Sequence, residues 1–201
     1  SLSYSDEHEQ AEWVAYELTK DRVSGSIGRT DNFREDRKVR TGSATLNDYK
    51  GSGYDRGHLA PAGDMKFSST AMSESFFMSN MSPQKASFNR GIWKNLESQV
   101  RTWAYENGHI YVVTGGVLNS CSSSIGYSRV GVPDYYYKVI LDYNETKVKA
   151  IALVLSHQKG TQQLSNYVTS IDYVESITGI DFFPALPDEL EKKLEAKSYI
   201  N

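Results

Sequence analysis

The chain has one cysteine, Cys121, among 201 residues. A lone thiol closes no intramolecular disulfide and sits in no ligand cluster, which excludes a disulfide scaffold and a cysteine-based zinc site. Long apolar runs are missing too, and nothing approaches the ~18 consecutive residues of a membrane-spanning helix. The opening stretch, Ser1 to Gln10, is polar and acidic, so no signal peptide is read there, although one could have been removed beforehand. Net charge is only −3 and 39% of residues are apolar, which excludes intrinsic disorder; 15 glycines and 5 prolines exclude a collagen-like chain. Also absent are Gly-x-Ser-x-Gly, a P-loop, Gly-x-Gly-x-x-Gly and His-Glu-x-x-His, the signatures of α/β serine hydrolases, P-loop enzymes, dinucleotide enzymes and zinc peptidases.

What is present suits one domain. The length is enough to bury a core, and no repeat, low-complexity tract or linker divides residues 1–201. Charge is unevenly spread: residues 1–19 hold five acids and no Lys or Arg, residues 20–101 hold fourteen bases against nine acids, and residues 102–201 hold eight bases against eleven acids. A basic middle in an acidic chain suits a face that meets phosphate, because Coulomb forces in salt act over ~8–10 Å. Uneven scatter of solvated charge explains the same numbers equally well.

Patterning places the elements. Glu12–Leu18 reads as a strand, followed by loop as far as Lys50. His109–Val117, Asp134–Tyr143 and Lys147–Ser156 are rich in β-branched and aromatic residues and read as central strands, the last two joined by a hairpin at Asn144-Glu145-Thr146. Ala86–Asn107 reads as one long helix, with Phe88, Ile92, Trp93, Leu96, Val100, Trp103 and Ala104 as its apolar stripe and Gly108 as its stop. Gln162–Thr178 and Asp188–Lys197 are weaker helices, the second introduced by Pro187 with Asp188 and Glu189 in its first turn. Strands and helices mix without a βαβ rhythm, which gives an α+β fold with an antiparallel part.

The chemistry-bearing residues lie between 53 and 101. Gly53-Tyr54-Asp55-Arg56-Gly57-His58 sets an arginine and a histidine at the end of an extended run, and Asn89, Trp93, Glu97 and Arg101 follow on the helix. On an unbroken helix Asn89 and Glu97 share a face about 12 Å apart along the axis. They are too far apart to ligate one cation together, yet close enough for Asn89 to bind it and Glu97 to hold its waters. Magnesium suits this, since it keeps several waters and takes few protein oxygens. His58 can then act as general base towards water, and Arg56 can meet the charge of the phosphoryl group. Each residue also has a plainer explanation: a hydrogen-bonded structural histidine, a solvated Asn and Glu, an Arg56 ion pair with Asp55 or Glu97, and arginines that cap structure.

Asp55-Arg56-Gly57-His58, then Ser79-Asn80-x-x-Pro83-Gln84, Asn89, Trp93, Glu97 and Arg101, closely resembles the DNA/RNA non-specific endonucleases, which include sugar-non-specific nucleases. Arg29-x-Asp31-Asn32-Phe33-x-x-Asp36 looks like a further element, and the likeness runs from about residue 29 to 117. The resemblance implies a ββα-metal (His-Me finger) site on a central antiparallel sheet flanked by helices. By the same resemblance His58 is the general base, Asn89 the direct magnesium ligand and Glu97 the holder of metal-bound water. Arg56, Arg29 and Arg101 serve substrate phosphate, Asn80 and Gln84 support the site, and Asp55 orients the turn. Manganese is the expected substitute metal.

The expected activity is therefore metal-dependent hydrolysis of phosphodiester bonds in DNA and RNA with little sequence preference, leaving 5′-phosphate and 3′-hydroxyl ends. A nuclease-fold module that binds nucleic acid without cutting, and an interaction protein with a basic face, are the alternatives. His8, His109 and His157 are expected to do no chemistry, Tyr135–Tyr137 to pack rather than stack on bases, and Cys121 to be idle. A secreted or periplasmic location is expected, with an organellar or cytosolic one left open; no membrane partner is expected. A homodimer and a protein inhibitor are also left open.

Overall fold

The longest runs of β-branched and aromatic residues build the centre of the protein. The structure, a computed structural model, describes residues 1–144, 147–160 and 163–196. In chain order its elements are β1 (Leu2–Ser5), β2 (Gln10–Thr19), α1 (Lys20–Val23), α2 (Leu46–Tyr49), β3 (Asp55–His58), α3 (Ser69–Glu74), β4 (Met81–Gln84), α4 (Ala86–Phe88), α5 (Lys94–Asn107), β5 (His109–Gly116), β6 (Cys121–Ile125), β7 (Val130–Pro133), β8 (Tyr135–Asn144), β9 (Lys147–Ser156), β10 (Val168–Thr169), α6 (Ile171–Thr178) and α7 (Asp188–Glu195). Six strands form an antiparallel sheet in the order β1-β2-β5-β8-β9-β10, while β3-β4 and β6-β7 are separate two-stranded ladders.

β8 and β9 pair along their full length, with Tyr135 opposite Ser156 and Asn144 opposite Lys147. Glu145 and Thr146 of the expected hairpin turn lie outside the described residues. Alternation along β8 fills both faces of the sheet. Tyr136 and Ile140 join Phe88, Trp93, Leu96, Val100 and Ala104 on one side, and Tyr137 and Val139 join Ile171, Val174 and Phe182 on the other. α5 therefore covers one face and α6 the other, so the sheet is antiparallel and flanked by helices: an α+β fold. Each large apolar side chain buried this way contributes roughly 1.5–3 kcal/mol. Tyr136 and Tyr137 are core residues, whereas Tyr135 is exposed. Among the described residues no helix is long and apolar enough to cross a membrane.

Three expected elements come out differently. The expected single helix from Ala86 to Asn107 is broken: Gly91 has φ −108° and ψ −112°, outside the helical region, and Asn89–Trp93 forms a widened π turn between α4 and α5. Glycine tolerates that backbone because it has no Cβ. The spacing of Asn89 and Glu97 on an unbroken helix therefore does not apply. Within the expected helix from Gln162 to Thr178, Leu164–Tyr167 is a short 3-10 turn and Val168–Thr169 pairs with the edge of β9. Only Ile171–Thr178 is α-helical, started by the Ser170 hydroxyl accepting from Tyr173 N at 3.1 Å; Gln162 lies outside the described residues. α7 begins just after Pro187 and ends at Glu195, and Lys197 is again outside them. The segment expected as loop up to Lys50 carries α1, α2 and a parallel bridge between Arg34 and Phe77.

Candidate active site

β3 and β4 are only four residues long, yet they carry four of the nine candidate residues: Asp55, Arg56, His58 and Gln84. Their register sets Asp55 opposite Gln84, Gly57 opposite Ser82 and His58 opposite Met81. Gly57 is demanded by close approach: a Cβ there would clash with the side chain of Gln84. Gln84 is fully buried, and its amide nitrogen and oxygen have no hydrogen-bond partner among the described residues. Asn80 does more. Its Oδ1 accepts from Ala60 N at 2.9 Å, and its Nδ2 donates to Ala60 O at 2.9 Å and Ser75 O at 2.8 Å, which fixes the chain as it leaves His58.

The helical segment docks on this ladder through three side chains. Asn89 Nδ2 donates to Asp55 Oδ2 at 2.9 Å. Arg90 grips the same carboxylate with Nε at 2.9 Å and Nη2 at 2.7 Å. Trp93 Nε1 donates to the carbonyl oxygen of His58 at 3.4 Å. Two strands and a helix are thus locked into one ββα unit. Both Asp55 oxygens are engaged, and its pKa is lowered by its bonds from Arg90 and Asn89 against an opposing effect of burial.

His58 is 8% exposed and sits edge-on to Phe33 and Phe76, with ring centroids 5.7 and 4.9 Å away. Burial, with the nearby Arg29 and Arg56 charges, lowers its pKa to about 3, so the ring is neutral at pH 7. Its Nε2 is buried and has no hydrogen-bond partner among the described residues. Arg29 is ion-paired with Asp31 at 2.6 Å and lies 4.8 Å over Phe76. Arg56 lies 4.1 Å over Phe33 and has no carboxylate partner among the described residues, so an ion pair with Asp55 or Glu97 is not formed. The upstream segment reaches this place by pairing Arg34 with Phe77 and by Ser79 Oγ donating to Asp36 at 2.6 Å.

An open cleft of about 590 Å³ is lined by Arg29, Phe33, Tyr54, Arg56, Asn89 and Arg90 among others. His58 is not part of this lining but packs edge-on to Phe33, which is. Arg101 does not line this cleft: its Nη1 is 2.8 Å from Asp64, which is fully buried, and it borders a separate hollow with Lys66 and Tyr105. Glu97 is half-buried. Burial pushes its carboxyl pKa up, opposed by Lys138, Arg101 and Arg29.

Sequence patterning missed Lys138 and Asp64. Lys138 is 0% exposed in the middle of β8; its Nζ donates to Thr114 Oγ1 at 3.1 Å and to Leu59 O at 3.4 Å, and lies 4.5 Å over the Trp93 ring. Tyr16 OH donates to Asp64 at 2.7 Å. A lysine in a strand buried on both faces was the available signal. The other histidines hold structure: His157 accepts from Lys85 N through Nε2 at 2.7 Å, His109 pairs with Glu17 and His8 with Ser5.

These donors suit a hard divalent cation. The Asn89 amide nitrogen is spent on Asp55, which orients the amide and leaves its oxygen as the atom that could bind such an ion.

A sequence model of the DNA/RNA non-specific endonucleases matches residues 1–189, well beyond the 29–117 stretch in which the motifs lie. The chain is 34% identical to the mitochondrial nuclease EXOG of Mus musculus over 204 residues, covering 92% of this chain and 55% of that protein. It is 32% identical to a nuclease of Nostoc sp. over 212 residues, covering 98% of this chain and 75% of that one. The chain thus spans little more than half of the mitochondrial relative. A crystal structure of an EndoG/EndoGI complex, concerned with EndoG inhibition, superposes with a TM-score of 0.86 at 29% identity, covering 92% of this chain and 83% of that chain.

Proposed function

Because the chain belongs to the DNA/RNA non-specific endonuclease family, we propose that it is a divalent-metal-dependent endonuclease hydrolysing phosphodiester bonds in DNA and RNA with little sequence preference. We take residues 1–201 as one catalytic domain, magnesium as the ion, with manganese as substitute, and 5′-phosphate and 3′-hydroxyl as the product ends. The observation that carries this is the ββα unit, in which Asp55 orients the Asn89 amide while Trp93 holds the strand end bearing a neutral His58.

The roles follow from what each group can do. Neutral His58 takes a proton from water at Nε2, the atom with no hydrogen-bond partner among the described residues. Asn89 Oδ1 is the direct metal ligand, and Glu97 holds the metal's waters. A bound divalent ion neutralises charge on the phosphate and stabilises the leaving oxygen. Arg56, free of carboxylates, meets phosphate from the cleft wall, and Arg29 does so by exchanging Asp31 for substrate. Asn80 and Gln84 support the strand ends. Arg101 was expected to bind substrate; its ion pair with buried Asp64 supports a role in ordering the interior beside Glu97 instead.

The name of the animal relative places that protein in mitochondria, which supports an organellar setting; the relatives' names give no support to the secreted or periplasmic one expected above. A protein inhibitor is proposed only by analogy with the EndoG/EndoGI complex.

Supercoiled plasmid and structured RNA, incubated with the protein in EDTA and then with magnesium or manganese restored, test this. Fragmentation of both substrates only with metal is expected, with DNA ends that a ligase joins without prior kinase treatment. Retention of nucleic acid in a gel shift with no cleavage under any metal would favour the binding-module alternative.

A further inference from the structure

Lys138 is a lysine where an apolar residue belongs. It sits on β8 between Tyr136 and Ile140, on the face covered by α5, opposite Thr114 on β5 and Leu153 on β9. A fully buried ammonium is costly unless its hydrogens are used and charges surround it. Here two hydrogens go to Thr114 Oγ1 and Leu59 O, and the Trp93 ring offers its face at 4.5 Å. The charged groups facing it are Glu97 and Arg101 on α5 and Asp64 from the segment after β3.

Its partners bracket His58. Leu59 is the next residue along, and Trp93 donates to the His58 carbonyl itself. We propose that Lys138 is a positioning residue for hydrolysis: from the centre of the sheet it pins the Leu59 carbonyl and the Trp93 indole, and so fixes the strand end that aims His58. A short strand has few ladder bonds of its own, and a misplacement of ~1 Å can cost on the order of 10²-fold in rate. The inference rests on His58 being the base.

The test is a double-mutant cycle at saturating magnesium. Lys138→Met removes the charge and both donors at nearly constant shape. In the wild-type background it should lower kcat about tenfold, with KM for DNA within about twofold. In a His58→Ala background it should change the residual rate by less than about twofold, because residues that act as a unit do not add. Equal losses in both backgrounds, or an unchanged kcat in the wild-type background, would overturn the proposal. If Lys138→Met does not fold, Trp93→Phe, which deletes the N–H and keeps a ring, takes its place in the same cycle and is judged by the same outcomes. Full activity in His58→Ala alone would overturn the reading of His58 as base, which is a different result from an inactive His58→Ala with a fully active Lys138→Met.

Discussion

The ββα unit from Asp55 to Trp93 and the large sheet beneath it are ordered by different means. β3 and β4 pair over four residues each, and what holds them to the helix is side-chain bonding: Asp55 with Asn89 and Arg90, Asn80 with Ala60 and Ser75, Trp93 with the His58 carbonyl. β8 and β9 pair over ten residues, and packing on both faces holds them. A ladder of that length tolerates loss of one polar tie, whereas the short unit depends on each. Substitutions in the unit should therefore strike activity with little loss of fold. Substitutions on the sheet face turned away from the unit should strike fold with little loss of activity per folded molecule.

The sharpest break in that contrast comes from Asn89→Ala. It removes the amide oxygen assigned to the metal, so titration calorimetry should show no magnesium binding at millimolar concentration and cleavage should vanish, while thermal unfolding stays near wild type. Next is His58→Ala, expected to lower kcat by about 10²–10⁴-fold with an unchanged circular dichroism spectrum. Added imidazole should restore part of the rate, and near wild-type turnover would remove His58 from the mechanism.

Phe182→Ala tests the other side. Phe182 is 2% exposed and packs edge-on to Tyr137, on the sheet face opposite Trp93. Its loss should cost about 3–5 kcal/mol in urea unfolding, with kcat per folded molecule preserved. A large drop in kcat at full folding would mean that the two regions are not separable.

The smallest effect is in acid. Since the folded pKa of His58 is lowered to about 3 while the unfolded chain titrates near ~6.5, both states are neutral at this residue above that value. As pH falls through the window between them, the unfolded chain takes up a proton that the folded one refuses, so stability is lost until folded His58 protonates. His58→Ala should therefore show a flatter loss of stability over that window, and NMR titration should find the His58 ring neutral through pH 5. A ring titrating near ~6.5 would contradict the burial described here.

Legibility in the sequence followed the range of the forces. Strands such as Lys147–Ser156 were readable because burial on a face imposes a residue pattern locally. The Asp55 to Arg101 constellation was readable through its resemblance to a family motif, whose residues lie in order along the chain. The break at Gly91 was not, since a helical apolar stripe continues across it. The ion pair of Arg101 was not readable for a related reason: its carboxylate partner, Asp64, lies 37 residues away.

Composition, periodicity and one motif determined the α+β class, the central strands and the candidate site residues, because each is written in side chains close together along the chain. Tertiary structure alone decided which groups meet. It tied Asp55 to Asn89, turned Arg101 towards Asp64, put His58 among aromatic rings that hold it neutral, and set Lys138 under Trp93. These depend on desolvation and on contacts across dozens of residues, and both exist only once the sheet has formed and water has been excluded from beneath the site.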